Sequence, residues 1–390
     1  MIEPPILETE FPLATAGDIA VINLESARLQ SWGRFWQSPR RAGVAEYIVE
    51  HEQLTAQFVG DMGALDRLDT LVQHLDRVDA ESPRAALIHA RVASMAHRFA
   101  EAKKYLERIA ACTELADAAN RLSLSIDHAC GIDLEAVLEA RRWMVAKSRR
   151  LEDLVPLAAL HADLREFDEA DRIYQHALKQ YRDTSPFAVA WVCFQLGVLW
   201  GELVPEAQSS RAEYWYQKAI EYLPCYVKAR VHLAEVYLGW GREKEAEALL
   251  LAAIPSRDPE VNWRLADVLA KMGRFAEAEV QMQTARSGFD VLLEKYLLAF
   301  ADHGAEFYSG SGDDSGRAFE LASVNLVNRP TLRAFEQSYE TAVGAGRPQA
   351  ALDILSAAEI RWGATLAFGL SPLAACRRDF AGDSSGTSCC

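Results

Sequence analysis

One phrase occurs twice in this chain and limits what the chain can fold into. Gly241-Arg242-Glu243-Lys244-Glu245-Ala246-Glu247 returns 32 residues later as Gly273-Arg274-Phe275-Ala276-Glu277-Ala278-Glu279. Ahead of each glycine runs an apolar stripe, Leu233-Ala234-x2-Tyr237 in one copy and Leu265-Ala266-x2-Leu269 in the other. In each stripe the Leu, the Ala and the residue three beyond the Ala share one helical face. The glycine ends that helix, because it accepts a left-handed conformation without a Cβ clash. A second helix follows, carrying Ala246, Leu250 and Ala253 in the first copy and Ala278, Met282 and Ala285 in the second. The leading alanine lets two helices cross closely, and the larger residue four places on fills the adjacent gap. A single hairpin of this size cannot bury its own apolar face, so copies must stack.

Other copies surround these two. Leu196-Gly197-x2-Trp200 is followed by Ala212-x3-Tyr216-x2-Ala219 and Pro224, with three more residues between its helices than the downstream copies have. Arg165-Glu166-Phe167-Asp168-Glu169-Ala170 leads to Tyr174 and Ala177, and His97-Arg98-Phe99-Ala100-Glu101-Ala102 repeats the phrase at 273 with His in place of Gly. Gly346-Arg347-Pro348-Gln349-Ala350-Ala351 leads to Leu355 and Ala358. These residues resemble the tetratricopeptide repeat, with its Leu-Gly/Ala-x2-Tyr on one helix and Ala-x3-aromatic and Pro around the next. The resemblance covers most of residues 80–362 and is clearest in 150–286. It implies an all-α solenoid, a right-handed superhelix of about nine helical hairpins. A plain helical bundle would not produce the recurring period.

The organisation expected on this basis begins with an N-terminal arm at 1–42, which carries prolines at 4, 5, 12 and 39. Helical signals begin only near Asp18; Ile6, Leu7 and Phe11 could dock elsewhere on the protein, its own groove included, but disorder or simple end-capping is the general expectation for a terminus. Divergent helical repeats follow at 43–150, the best-defined repeats at 151–288, and C-terminal repeats at 289–362. The helical pair at 260–288 is expected to end before a further pair, 290–304 and 316–328, which a Gly/Ser-rich loop at 308–316 interrupts. That loop lacks the Lys-Ser/Thr ending of a phosphate-binding loop and follows no strand. Residues 363–390 lose the periodicity and read as a flexible tail. A helix-turn-helix at 44–79 is excluded by its acidity, with Glu46, Glu50, Glu52, Asp61, Asp66 and Asp69 and little base.

The formal charge of −15 argues against a nucleic-acid surface and favours basic partner segments. The longest apolar run, 187–200, has 14 residues and includes Gln195, which is shorter than a bilayer requires. The acidic, proline-bearing start Met1-Ile2-Glu3-Pro4-Pro5 resembles no signal peptide. Seven scattered cysteines have no metal-type spacing and read as reduced thiols. The expectation is a cytoplasmic chain acting away from membranes and nucleic acid.

Few residues suggest chemistry. Asp302-His303 with Glu306 could make a base or a metal site, although only one histidine is local. The acidic run His161, Asp163, Glu166, Asp168, Glu169 and Asp171 lacks the oxygen spacing and glycine of a calcium loop. Cys389-Cys390 could handle metal or thiols, or be an incidental tail. No catalytic signature, cofactor motif or metal set emerges, so the competing class is an enzyme or metal-handling protein using His303 and Asp302 or the terminal cysteines.

The family resemblance points to a different site. It implies a concave groove lined by the first helix of each repeat: Trp191 and Phe194, then His232 and Glu235, then Trp263, Arg264, Asp267 and Lys271. Aromatics among alternating charges suit a peptide of basic or mixed charge, with Trp263, His232 and Phe194 aligned along the groove. Trp191 and Phe194 suit the core equally well. The family's carboxylate clamp for chaperone tails is not expected, since Glu235 and Asp267 stand at its Asn positions. The implied function is a non-catalytic scaffold or adaptor for a protein or peptide, including an accessory to a partner enzyme.

Overall fold

The structure, a computed structural model, describes residues 11–148 and 150–383, with side chains through residue 377. The described chain is helical throughout. Its N-terminal helices are α1 (Gly17–Gln37), α2 (Val44–Leu54), α3 (Gly63–Val78), α4 (Pro83–Met95), α5 (Phe99–Arg108), α6 (Ala116–Ala129) and α7 (Leu134–Ser148). The central ones are α8 (Leu151–Asp163), α9 (Phe167–Gln180), α10 (Pro186–Val198), α11 (Ser209–Tyr222), α12 (Val227–Gly239), α13 (Glu243–Leu251) and α14 (Pro259–Lys271). Then come α15 (Phe275–Ser309), α16 (Ser315–Asn328), α17 (Leu332–Gly344), α18 (Pro348–Trp362), α19 (Leu366–Gly369) and α20 (Pro372–Asp383). From α2 to α18 they pair into consecutive hairpins, the arrangement of a tetratricopeptide-like α-solenoid.

The repeated phrase marks one turn built several times. Gly241, Gly273 and Gly346 have φ of 70°, 77° and 65°, in the left-handed region that a Cβ disfavours. His97 and Arg165 occupy the same place in their copies and carry the same strain, with φ of 53° and 63°. In every copy the next N–H reaches back five residues to close the helix end. Arg98 donates to Ala93 O, Glu166 to His161 O, Arg242 to Tyr237 O, Arg274 to Leu269 O and Arg347 to Ala342 O, all at 2.8–2.9 Å. The turn aims the second helix back along the first. Ala246 is fully buried and Ala278 nearly so, as a close helix crossing requires.

Several segments depart from the expected layout. Residues 17–37, inside the stretch read as an arm, form α1, which packs beside α2 and touches α10. Just ahead of it, Phe11 lies against Trp215 and Tyr222 of α11, and the Tyr222 hydroxyl donates to Pro12 O at 2.7 Å. The break expected near 289 is absent: α15 runs on to Ser309 and bends instead at Tyr296, whose φ/ψ of −133°/48° are not helical. Within the stretch read as a tail, Leu373 and Ala374 of α20 are buried against the last hairpin. The apolar helix is also longer than its 14-residue core. A π-helical turn, Leu199–Leu203, extends α10, so that Pro186–Leu203 is long and apolar enough by composition to cross a membrane, with 61% of it buried inside the fold.

The two ends of the solenoid meet. Tyr296, at the bend of α15, donates to Asp66 (2.9 Å) and Asp69 (3.0 Å) of α3, and Lys295 pairs with Asp66 at 3.0 Å. Asn328 donates to His97 O at 3.0 Å, Arg361 to Gly131 O at 2.8 Å, and Arg165 pairs with Glu336. Between them, Phe58 reaches Tyr226 at the head of α12, with ring centroids 4.8 Å apart.

The hairpin α10–α11 supplies a test of this packing. Gly197 faces the buried Tyr216 ring so closely that a Cβ would overlap it. Gly197→Ala is expected to destabilise the protein by about 1–3 kcal/mol through overpacking, measured by urea denaturation. An unchanged midpoint would mean that this contact is absent.

Candidate functional site

Four successive hairpins contribute their first helices to one row of alternating charge. It starts at Glu202, in the π turn that ends α10. Glu202 Oε1 lies 2.7 Å from His232 Nδ1 of α12, in a contact made off the N–H direction and therefore acting as an ion pair. His232 lies 3.5 Å from Glu235 Oε2, one helical turn on. Glu235 Oε1 meets Arg264 of α14 at 2.6 Å, and Arg264 meets Glu306 of α15 at 2.8 Å. A second pair sits alongside, where Lys228 Nζ is 3.5 Å from Glu260, whose N–H is capped by Asp258 at 3.0 Å.

Crowding in this row moves the proton affinities apart. Burial pushes the Glu202 carboxyl up, but His232 and the Tyr216 hydroxyl, which donates at 2.8 Å, more than offset that and hold it at about 2. Burial opposes charge on His232 as well, yet Glu202 and Glu235 raise it to about 9, so the imidazole is cationic at neutral pH. Glu235 goes the other way. Burial raises it to about 7 despite His232 and Arg264 beside it, so the central carboxyl exchanges its proton near neutrality.

Beside this row α12 and α14 enclose an open pocket of about 360 Å³. Glu235, Arg264, Asp267 and Lys271 supply its charges, and Ala234, Leu238, Leu250 and Val268 its apolar floor. Asp267 is raised by burial and accepts a hydrogen bond from Ser311 Oγ at 2.6 Å. The Gly/Ser-rich loop is thus fastened over one side of the pocket, and Arg286 holds it again through Gly312 O at 2.7 Å. Lys271, at the rim, is exposed.

The expected groove residues divide by type. The charged ones, with His232 alongside, converge on the row and the pocket. The aromatics do not. Trp263 is only 3% exposed and packs edge-on against Phe289 and Phe307, with Arg264 stacked over its other face 3.6 Å from the ring centre. Phe194 is 6% exposed, among Tyr216, Tyr226 and His232. Trp191 is half-buried beside Phe194. The aromatic line along the groove is therefore corrected: Phe194 and His232 touch, while Trp263 belongs to a separate apolar cluster. Aromatic rings lose more by facing water than the short gap between first helices can return. Glu202, Glu306 and Ser311 are not among the groove residues expected from the sequence, where Glu306 reads with Asp302-His303 and Ser311 with the Gly/Ser-rich loop. Glu202 lies in the insertion that sets its repeat apart, and the other two lie beyond the bend in α15.

Most of the remaining candidates are occupied by structural contacts. Asp302 pairs with Arg329 and accepts from the His303 N–H at 3.0 Å. Burial would raise its carboxyl, but His303, Arg329 and His97 hold it well below the carboxylate range. In the acidic run, His161 is buried against Glu166, and Asp171 accepts from the Trp200 indole at 2.7 Å. Among the described residues no group of three or more His, Cys, Asp and Glu is placed to hold a metal ion. Cys389 and Cys390 lie outside the described residues.

No family model and no curated protein matches this chain. Among solved structures it is similar to the APC/C hetero-tetramer Cut9-Hcn1, at 13% identity and a TM-score of 0.43, over 86% of this chain and 63% of that one. It is similar to the human IFIT1 dimer with m7Gppp-AAAA, at 15% identity and a TM-score of 0.43, over 95% and 86% of the two chains. It is similar also to the C-terminal part of a TPR repeat-containing protein from Cytophaga hutchinsonii, at 13% identity and a TM-score of 0.32, over 75% and 97%.

Two measurements test the site. The folded-state value of His232 lies above its ordinary 6.5, so its contribution to stability is complete below pH 6.5 and is lost as pH rises through about 9. Between pH 7 and 9.5 the wild type should lose on the order of 1–3 kcal/mol more than His232→Gln in thermal or urea unfolding. Equal slopes would remove His232 from the charged row. Trp263→Ala should cost about 3–5 kcal/mol, since it empties a buried cluster. A loss near zero would put the indole at the surface instead.

Proposed function

We propose that this chain is a non-catalytic scaffold whose α12–α14 pocket holds a peptide segment of a partner protein. One observation carries the reading: Glu235, Arg264, Asp267 and Lys271, from two neighbouring repeats, face one open pocket over an apolar floor. Such a surface grips an extended segment through a small apolar side chain on the floor and charged groups at the walls. The walls carry two carboxylates and two cations, and Arg264 is already paired with Glu235 and Glu306, so both signs are offered and a mixed-charge segment, its basic group at Asp267, fits best. Support for a scaffold rather than an enzyme comes from Glu202 and His232, whose shifted groups are engaged with each other in an ion pair.

Affinity capture from the native cell, followed by cross-linking mass spectrometry, tests this reading. Segments retained by the wild type should cross-link near Lys271 and be lost with Asp267→Lys. Lys271→Ala should change mainly the salt dependence of binding. Retention of the same segments by Asp267→Lys, with unchanged affinity, would exclude the pocket as the binding site.

A further inference from the structure

Helix α1 has two apolar faces, and among the described residues the fold covers one, reaching the other only at its end, where Trp36 meets His74 of α3 with ring centroids 5.1 Å apart. Ala20, Leu24 and Phe35 turn inward and are buried. On the opposite side Ile19, Ile22, Ser26, Leu29, Gly33 and Trp36 follow one another at alternating intervals of three and four, the seam of a two-helix contact. All six are exposed, and the large ones heavily so: Ile19 50%, Ile22 67%, Leu29 58% and Trp36 53%. A soluble helix normally turns polar residues to that side.

Gly33 sharpens the point. It stands in the body of α1, where glycine weakens a helix, and a Cβ added there would meet nothing within 4 Å. Its φ lies outside the left-handed region, so no turn calls for it. Among the described residues neither packing nor backbone needs a glycine at 33. A second helix approaching closely would.

We propose that α1 is an interface between two copies of this chain, the two helices packing antiparallel about a two-fold axis between residues 27 and 28. In that register each large residue meets a small one or an outer partner. Ile22 fills the space over Gly33 of the second copy, Leu29 lies over Ser26, and Ile19 packs against Trp36. The exchange is reciprocal, as a two-fold interface demands. A parallel pairing would set Ile22 on Ile22 and leave a gap at Gly33. Charge does not oppose the contact: Asn23, Gln30 and Gln37 flank one side of the seam, and Glu25 on the other is held by Arg28 of its own helix at 2.7 and 2.9 Å. Burying the exposed parts of the four large side chains in both copies removes on the order of 1,000 Å² from water, the level a specific interface needs.

Sedimentation equilibrium of the full chain tests the proposal, with Ile22→Lys and Gly33→Glu as separate variants. The wild type should be a dimer at tens of micromolar. Each variant alone should be monomeric, with the dimer weakened on the order of 100-fold because two unpaired charges enter the seam. Mixing the two variants should restore a dimer, because the antiparallel register then sets Lys against Glu at one crossing and leaves Ile22 over Gly33 intact at the other. Circular dichroism should report unchanged helix content in both, as neither position touches the core. A monomeric wild type would overturn the proposal, whether the seam then binds lipid vesicles, another protein or nothing. So would dimers that survive both substitutions, or monomers that fail to recombine.

Discussion

Where the second helix of a hairpin crosses the first, the residue at the crossing is alanine: Ala102, Ala170, Ala212, Ala246, Ala278 and Ala318, all buried. Two turns further along, Ala177, Ala219, Ala253 and Ala285 repeat the contact. Helix axes can approach this closely only where a side chain ends at Cβ, and in the four hairpins with two such points both the distance and the crossing angle are fixed. The stack inherits its geometry from these contacts. With the angle fixed, the first helices fall side by side, and side chains as distant in sequence as Glu202 and Glu306 come to share one row.

That row explains why charge can sit so deep in this fold. A lone buried carboxylate would be expensive, but here each is next to a cation and each cation next to a carboxylate. The alternation spreads unevenly. Glu202 at one end, which also accepts a hydrogen bond from Tyr216, is held firmly ionised, while Glu235, as deeply placed between two cations but without such a donor, titrates near neutrality. The pocket therefore has one wall whose charge depends on what enters it, since a basic group next to Glu235 favours loss of its proton and an acidic one favours retention.

The hairpins were legible from the sequence because a turn and a crossing are local. The glycine phrase fixes a left-handed residue and an alanine four or five places on, and even His97 and Arg165 obey the template at a cost in strain. That Glu235, Arg264, Asp267 and Lys271 share one face was implied by the family resemblance, which carries the groove phase onto the first helix of each repeat, and the four line one pocket. The fate of Trp263 was not legible. Phase said that it lay on the groove side, but its burial depends on Phe289 and Phe307, and the continuous α15 brings Phe307 back across it. The bend at Tyr296 has no local signal either, because its hydroxyl is anchored by Asp66 and Asp69, some 230 positions away. Likewise the two-faced character of α1 is hidden by a stretch that reads, residue by residue, as an ordinary extension of the arm.

An open stack of hairpins behaves as a spring: each joint yields a little, and a guest can widen the coil at small cost per repeat. The clasp between Tyr296, Lys295 and Asp66, together with Asn328 on His97 and Arg361 on Gly131, turns that spring into a buckled strap. Strain applied at one joint cannot dissipate by unwinding the ends and must be shared around the loop. The pocket between α12 and α14 then widens only by straining the whole loop, so a segment of the kind proposed would have to match its shape rather than stretch it.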